Sequence, residues 1–213
     1  MLSMGYPKTI KRFTAQEYYN LERDATYRSE FYDGEIFAMA GATRPHSVIV
    51  LNAASGLHQR LKGKPCTVHD PNLRIKVLPT GLRAYPDVSV FCDPPQRDPE
   101  DPEGQTYTNP TVLVEVLSSS TEAFDRGTKW FSYRQIESLR NYLLISQSDP
   151  RVEIFERQAD GSWLNRFVNQ LDGTLTLNVL QIDLPLREIY DRVNFSEDDD
   201  DLPNDAAYSA PKY

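Results

Sequence analysis

The sequence predicts an α+β domain with a mixed central β-sheet flanked by helices, and three observations carry that prediction. Thr111-Val-Leu-Val-Glu-Val-Leu117 is a nearly continuous apolar run, the composition of a central strand buried on both faces. Asp33-Gly34 lies between two short strand-like runs, where it supplies the positive φ of a two-residue hairpin turn. Residues 43–61 repeat Ile49/Val50, Ala53, Leu57 and Leu61 at helical spacing. Helices and strands thus mix along the chain without a regular βαβ alternation, which is the α+β pattern.

In chain order, Thr14-Ala-Gln-Glu17 is a capping box that starts a first short helix to about Glu22. The hairpin follows, with Glu30 on its first strand. The helix over 43–61 takes Pro45 in its first turn and ends at Gly63 and Pro65. Short strands are expected at 66–69 and 72–77, then a turn at Pro79-Thr-Gly81, then Tyr85-Pro-Asp-Val-Ser-Val-Phe91, where Asp87 follows a proline at the strand start. Residues 93–110 hold five prolines and five acidic residues, a composition that reads as a long surface loop unable to order a core. After the 111–117 strand, Ser118-Ser-Ser-Thr121 opens a helix expected to reach Ile136 and carrying Lys129. Strands at 141–145 and 151–157 flank a polar turn, 162–167 with 174–177 suggests a further hairpin or meander, and 186–193 a closing helical turn.

The chain is 213 residues, which suits one domain over 1–195, followed by an acidic tail, 196–213, expected to be disordered. Hydrophobic residues make up 39% and charged residues 25%, ordinary globular usage that excludes wholesale disorder. The longest apolar stretch, 36–42, is far short of the ~18 residues of a membrane span, and no signal peptide is evident, so a cytoplasmic location is expected. Cys66 and Cys92 read as reduced thiols, with a single disulfide the less favoured alternative. Net charge is −8, but six acidic residues against Lys212 in the tail leave −3 for the rest. Global charge therefore does not exclude a nucleic-acid partner, although no basic domain is present.

The chemistry concentrates in three groups. An ionised Glu115 inside a buried strand needs a cation, a hydrogen bond or a metal. Asp87 on a neighbouring strand and Lys129 on the next helix could converge with it. Hard divalent cations such as Mg2+ take one or two carboxylates plus water and phosphate oxygens, and a lysine beside them stabilises developing charge. The bland alternative is a structural Glu115–Lys129 pair with Asp87 capping a strand. Asp125 stands one helical turn before Lys129 and could orient its ammonium, or simply pair at the surface. Tyr133 could line the site or pack, and His46, near a helix start, could contact phosphate or water. No Gly-x-Ser-x-Gly elbow, P-loop or dinucleotide fingerprint occurs.

Pro86-Asp87, Glu115-Val116-Leu117, Ser118-Ser-Ser-Thr121, Asp125-Arg-Gly-Thr-Lys129 with Tyr133, and Asn141-Tyr-Leu-Leu-Ile145 occur in that order. With Phe13–Tyr18, Glu30–Glu35 and Pro45-His46, the chain from Thr14 to Val193 resembles the Uma-type restriction endonucleases of the PD-(D/E)XK nuclease superfamily. The resemblance implies a restriction-endonuclease-like core hydrolysing DNA phosphodiesters. It implies Asp87 and Glu115 as ligands of Mg2+, with Mn2+ an alternative. Where the superfamily places lysine, this chain has Leu117, and the resemblance moves that role to Lys129. Glu30 matches an acidic residue from the superfamily's amino-terminal part. A homodimer is the implied assembly for cutting both strands. The alternative of another class is a catalytically inactive nuclease fold acting as a binding or regulatory module.

Overall fold

Six strands form the sheet that the apolar run at 112–117 was expected to centre. The computed structural model describes residues 11–39 and 41–195, and the acidic tail lies outside them. The sheet runs in the order β11-β10-β9-β8-β6-β3. Its strands are β3 (Thr67–His69), β6 (Val88–Phe91), β8 (Val112–Leu117), β9 (Asn141–Ser146), β10 (Val152–Arg157) and β11 (Trp163–Val168). Only β8 and β9 are parallel, joined through a helical crossover, and the other pairings are antiparallel. Every residue of β8 and β9 is buried, which is why neither strand shows an alternating pattern.

The pleat separates two cores. Val112, Val114 and Val116 face α2 (Arg44–Leu61), whose Ile49, Ala53, Leu57 and Leu61 meet them. Each fully buried valine, leucine or isoleucine among them contributes roughly 2 kcal/mol. The ribbon β12 (Thr174–Leu177) with β13 (Ile182–Pro185), and α5 (Leu186–Ile189), close that side. Leu113 and Leu117 face the other way, towards Tyr133, Leu139, Tyr142 and a second sheet. That second sheet has five strands in the order β2-β1-β5-β4-β7: β1 (Ser29–Tyr32), β2 (Glu35–Ala38), β4 (Arg74–Lys76), β5 (Arg83–Ala84) and β7 (Thr106–Tyr107).

Local expectations hold where the signal is local. α1 (Ala15–Asp24) starts with the Thr14–Glu17 capping box. Asp33 (φ 47°) and Gly34 (φ 77°) make the hairpin turn between β1 and β2. Thr43 caps α2, and Pro45 sits in its first turn.

Five expectations need correction. There is not one sheet but two, with the β12–β13 ribbon in addition. The residues at 163–168 and 174–177 do not pair with each other; β11 extends the central sheet and β12 pairs with β13. The helix expected over 121–136 is broken into α3 (Glu122–Phe124), a π-helical turn (Asp125–Lys129) and α4 (Trp130–Tyr133).

Residues 93–110 are ordered, with Asp98, Asp101, Thr106 and Asn109 buried. Charge pairing, rather than apolar burial, holds this segment. Cys66 and Cys92 are joined in a disulfide. The β3–β6 register, Thr67 opposite Phe91, brings Cys66 opposite Cys92, a long-range pairing that their spacing of 26 residues does not reveal.

Candidate active site

Alternation along β8 decides where Glu115 points. With Leu113 and Leu117 it faces the second core, under the broken helix. In the π turn Trp130 N–H donates to the Asp125 carbonyl, five residues back, and the widened turn buries both Asp125 and Lys129. Such turns recur at functional sites. Lys129 Nζ lies 3.1 Å from Glu115 Oε1, 3.1 Å from Glu30 Oε1 and 3.0 Å from Asp125 Oδ1. One ammonium therefore serves three carboxylates.

The surroundings fix each group. Tyr133 OH donates to Glu115 Oε1 at 3.1 Å, and the Tyr85 backbone N–H to Glu30 Oε1 at 3.2 Å. Tyr142 OH donates to the Asp125 carbonyl at 3.1 Å. Asp125 Oδ1 makes its ion pair off the hydrogen-bonding directions of the ammonium and has no hydrogen bond of its own.

Asp87 stands at the edge of this cluster. Val88 pairs with Val114, so the same antiparallel register carries Asp87 opposite Glu115. Its Oδ2 accepts the Val116 N–H at 2.7 Å and lies 3.4 Å from His46 Nε2. The Asp87 and His46 side chains are 14% and 16% exposed, against 2% for Asp125, so the cluster meets solvent on their side. His46 Nδ1 is buried without a hydrogen-bond partner.

Electrostatics follow from this crowding. Burial pushes the Glu115 carboxyl well above its usual range; Lys129 counteracts this, while Asp125, Asp87 and Glu30 reinforce it. Burial alone would weaken the Lys129 ammonium, but Glu115 and Glu30 outweigh it and hold the proton well above the usual lysine value. Tyr133 is pushed up by burial and by Glu115, and stays a neutral donor. Burial pulls the His46 imidazole down, but the contact with Asp87 raises it overall.

The structure thus brings Glu30, Glu115, Asp125, Lys129 and Tyr133 together and sets Asp87 and His46 alongside. Among the described residues no group of three or more His, Cys, Asp or Glu side chains is arranged to hold a metal ion. The donor chemistry nevertheless fits a hard cation. Glu115 resists ionising first because it is buried and then because Asp125, Asp87 and Glu30 crowd it, and a divalent ion at Asp87 and Glu115 would offset both.

A second charged network escaped the sequence reading. Arg74 donates to Asp101 Oδ2 (3.1 Å), Thr106 Oγ1 (2.7 Å) and Tyr85 OH (2.9 Å). Lys76 pairs with Asp98 (2.9 Å) and Glu100 (2.6 Å), and Arg83 with Glu100 (3.0 Å). Tyr85 OH in turn donates to Glu22 Oε1 at 2.8 Å, so the network anchors the residue whose N–H holds Glu30. The acidic composition of 93–110 beside basic residues on short strands was the available signal.

Comparison with known proteins bears on this geometry. A family model described as Uma2, putative restriction endonuclease, matches residues 15–187. The uncharacterised protein slr1290 of Synechocystis sp. is 37% identical over 164 residues, covering 77% of this chain and 84% of that one. A second uncharacterised Synechocystis protein, sll1609, is 35% identical over 156 residues, covering 73% and 87%. The crystal structure of a putative nuclease of the DUF820 group from Anabaena variabilis superposes with a TM-score of 0.63 at 17% identity, covering 78% of this chain and 91% of that one. At that identity the likeness is one of fold.

Proposed function

The chain belongs to the Uma2 family of putative restriction endonucleases, and on that premise we propose that it is a metal-dependent endonuclease that hydrolyses DNA phosphodiesters. The observation that carries this reading is the convergence of Lys129 on Glu115 and Glu30, with Asp87 opposite Glu115 across the β6–β8 pairing. Asp87 and Glu115 would hold Mg2+, or Mn2+ in its place. When bound, the ion would polarise the phosphate and make water a better nucleophile.

The chain's own residues supply the rest. Lys129, kept charged by its carboxylates, offers its ammonium to the charge that develops on the phosphate. Glu30 and Asp125 hold that ammonium in place, and Tyr133 orients Glu115 by donating to Oε1. Asp87 is kept aimed by Val116 N–H and His46.

A homodimer would let two such sites cut both strands. A cytoplasmic location suits a DNA substrate, although reducing conditions there would tend to open the Cys66–Cys92 bond.

Plasmid cleavage in Mg2+ or Mn2+, compared between the wild-type protein and Asp87→Ala, tests the reading. Loss of metal-dependent cleavage in the variant is expected, and cleavage retained in Asp87→Ala removes Asp87 from the site.

One observation favours the second reading, an inactive nuclease fold serving as a binding module. Lys129 already lies between the carboxylates, and Glu115, Asp125 and Lys129 are each at most 5% exposed. A calorimetric titration with Mn2+ separates the two, since a pure binding module shows no heat that depends on Asp87 and Glu115.

A further inference from the structure

The central sheet ends on β11, and that edge is open. β11 pairs with β10 on one side, and among the described residues no strand pairs with its other side. It is the longest edge strand there, six residues without a proline. The opposite edge of the same sheet, β3, has three residues and is tied to β6 beside the Cys66–Cys92 bond. A row of unpaired backbone donors and acceptors invites another strand, so edges are ordinarily blunted by shortness, proline, outward charge or cover. β11 is neither short nor covered, and its one charged side chain, Arg166, is turned onto its own chain, towards Glu156 (3.5 Å) and the Thr176 carbonyl. Leu164 and Phe167 are instead 50% and 54% exposed.

A second copy of this chain fits that edge, and side-chain parity selects the register. A two-fold axis perpendicular to the sheet keeps each face on its own side, so residues opposite one another across the axis are both odd-numbered or both even-numbered. Centring the axis on Asn165 pairs all of residues 163–167: Trp163 meets the partner's Phe167, Leu164 meets the partner's Arg166, and Asn165 meets itself. Centring it on Arg166 instead sets two guanidinium groups against each other. Centring it on Leu164 drives Phe167 against Gly161, whose φ of 85° belongs to the β10–β11 turn. Centring it on Phe167 puts Trp163 opposite residue 171, beyond the end of the strand. In the Asn165 register two aromatic cross-strand pairs form, one on each side of the axis. The Trp163 ring that receives the partner's Phe167 is already held, 5.0 Å from Trp130 and under the Arg157 guanidinium at 4.8 Å.

We propose that β11 is a homodimer interface, in which two copies pair antiparallel through residues 163–167 and their six-stranded sheets join into one. Glu115 stands opposite Leu144, Leu144 opposite Glu153, and Glu153 opposite Phe167, so Glu115 and Phe167 share a face of the sheet. The perpendicular axis therefore sets both Glu115 clusters on the same side of the joined sheet. Main-chain hydrogen bonds supply the attraction, and the aromatic pairs supply the register. Five residue pairs make a small interface of the transient kind, so its occupancy rises with concentration. This gives the homodimer of the nuclease reading an interface, but it stands on the geometry of the strand and not on that reading.

Sedimentation velocity of the full chain over a concentration series, without metal or DNA, tests it. The wild-type protein is expected to shift from monomer to dimer as concentration rises. Phe167→Lys should weaken that association by about 10-fold, since the symmetry removes both aromatic pairs at once. Oxidative crosslinking reads the register. Cys66 and Cys92, the two cysteines of the chain, are already bonded to each other. An Asn165→Cys thiol, opposite itself across the axis, should therefore crosslink two copies, and an Arg166→Cys thiol should not. A wild-type chain that stays monomeric throughout, a dimer that Phe167→Lys does not weaken, or equal crosslinking through Asn165→Cys and Arg166→Cys overturns the proposal. None of these results touches the nuclease reading, which plasmid cleavage tests separately.

Discussion

Lys129 Nζ stands 3.1 Å from Glu115 Oε1 with the two side chains only 7% and 4% exposed. A buried pair of this kind is asymmetric in what each partner's loss leaves behind. Replacing Lys129 by Met strands Glu30, Asp125 and Glu115 without their shared cation, and removing one side of a buried pair costs about 3–5 kcal/mol. Glu115→Gln removes a carboxyl that already resists ionising and keeps an acceptor for Tyr133 OH. Its cost should be about 1 kcal/mol. Urea denaturation of both variants checks the ranking, and an equal loss in the two would show that the charge balance drawn here is wrong.

The same cluster sets a pH dependence with a definite sign. Burial, reinforced by Asp125, Asp87 and Glu30, raises Glu115 well above 4.5 in the folded chain. The folded state therefore holds that proton more tightly than the unfolded state. The stability tied to it is complete below pH 4.5 and is lost as pH rises through the folded value. Lys129 is raised above 10.5, so its contribution persists through neutral pH and is lost only in strong alkali. Unfolding free energy measured from pH 4.5 upward should fall less steeply in Glu115→Gln than in the wild-type chain. Identical slopes would remove Glu115 as the source.

The convergence of these residues was legible because the signals that place them are local. Glu115 stood out as a charge inside an apolar run, Asp33-Gly34 fixed the hairpin carrying Glu30, and Asp125 with Lys129 shared one helical segment. The π turn was not legible, since nothing in Asp125-Arg-Gly-Thr-Lys129 distinguishes it from an ordinary turn of helix. The second sheet was missed for a different reason. β5 and β7 have two residues each, too few to show a period, and their cohesion comes from Arg74, Lys76 and Arg83 meeting carboxylates distant in sequence.

The Cys66–Cys92 disulfide should contribute measurably to stability. β3 is an edge strand of three residues that pairs with β6 alone in its sheet. A crosslink spanning 26 residues restricts the unfolded chain enough to add about 3 kcal/mol. Thermal unfolding with and without dithiothreitol, beside a Cys66→Ser/Cys92→Ser double variant, should show matching decreases in Tm for reduction and for the variant. No difference on reduction would mean that β3 is held by its hydrogen bonds alone.

Asp101→Asn should loosen residues 93–110 more than any change at Glu100. The Asp101 side chain is 1% exposed, and its Oδ2 accepts from Arg74 (3.1 Å), Thr106 Oγ1 (2.7 Å) and Gln105 N–H (2.9 Å). An amide keeps one acceptor oxygen but leaves the Arg74 guanidinium buried without its counter-charge, a loss of about 3 kcal/mol. Glu100 is 61% exposed, so Glu100→Gln should cost at most about 1 kcal/mol even though it meets both Lys76 and Arg83. Hydrogen exchange provides the readout. In Asp101→Asn the amides of Gln105 and Asp98, which bond to Asp101 Oδ2 and to the Thr106 carbonyl, should exchange faster while those of β8 and β9 do not. The effect should reach Glu30 only through Tyr85, which Arg74 contacts on one side and whose N–H holds the Glu30 carboxylate. Uniformly faster exchange across both sheets would instead show that the loop and the central sheet unfold as one unit.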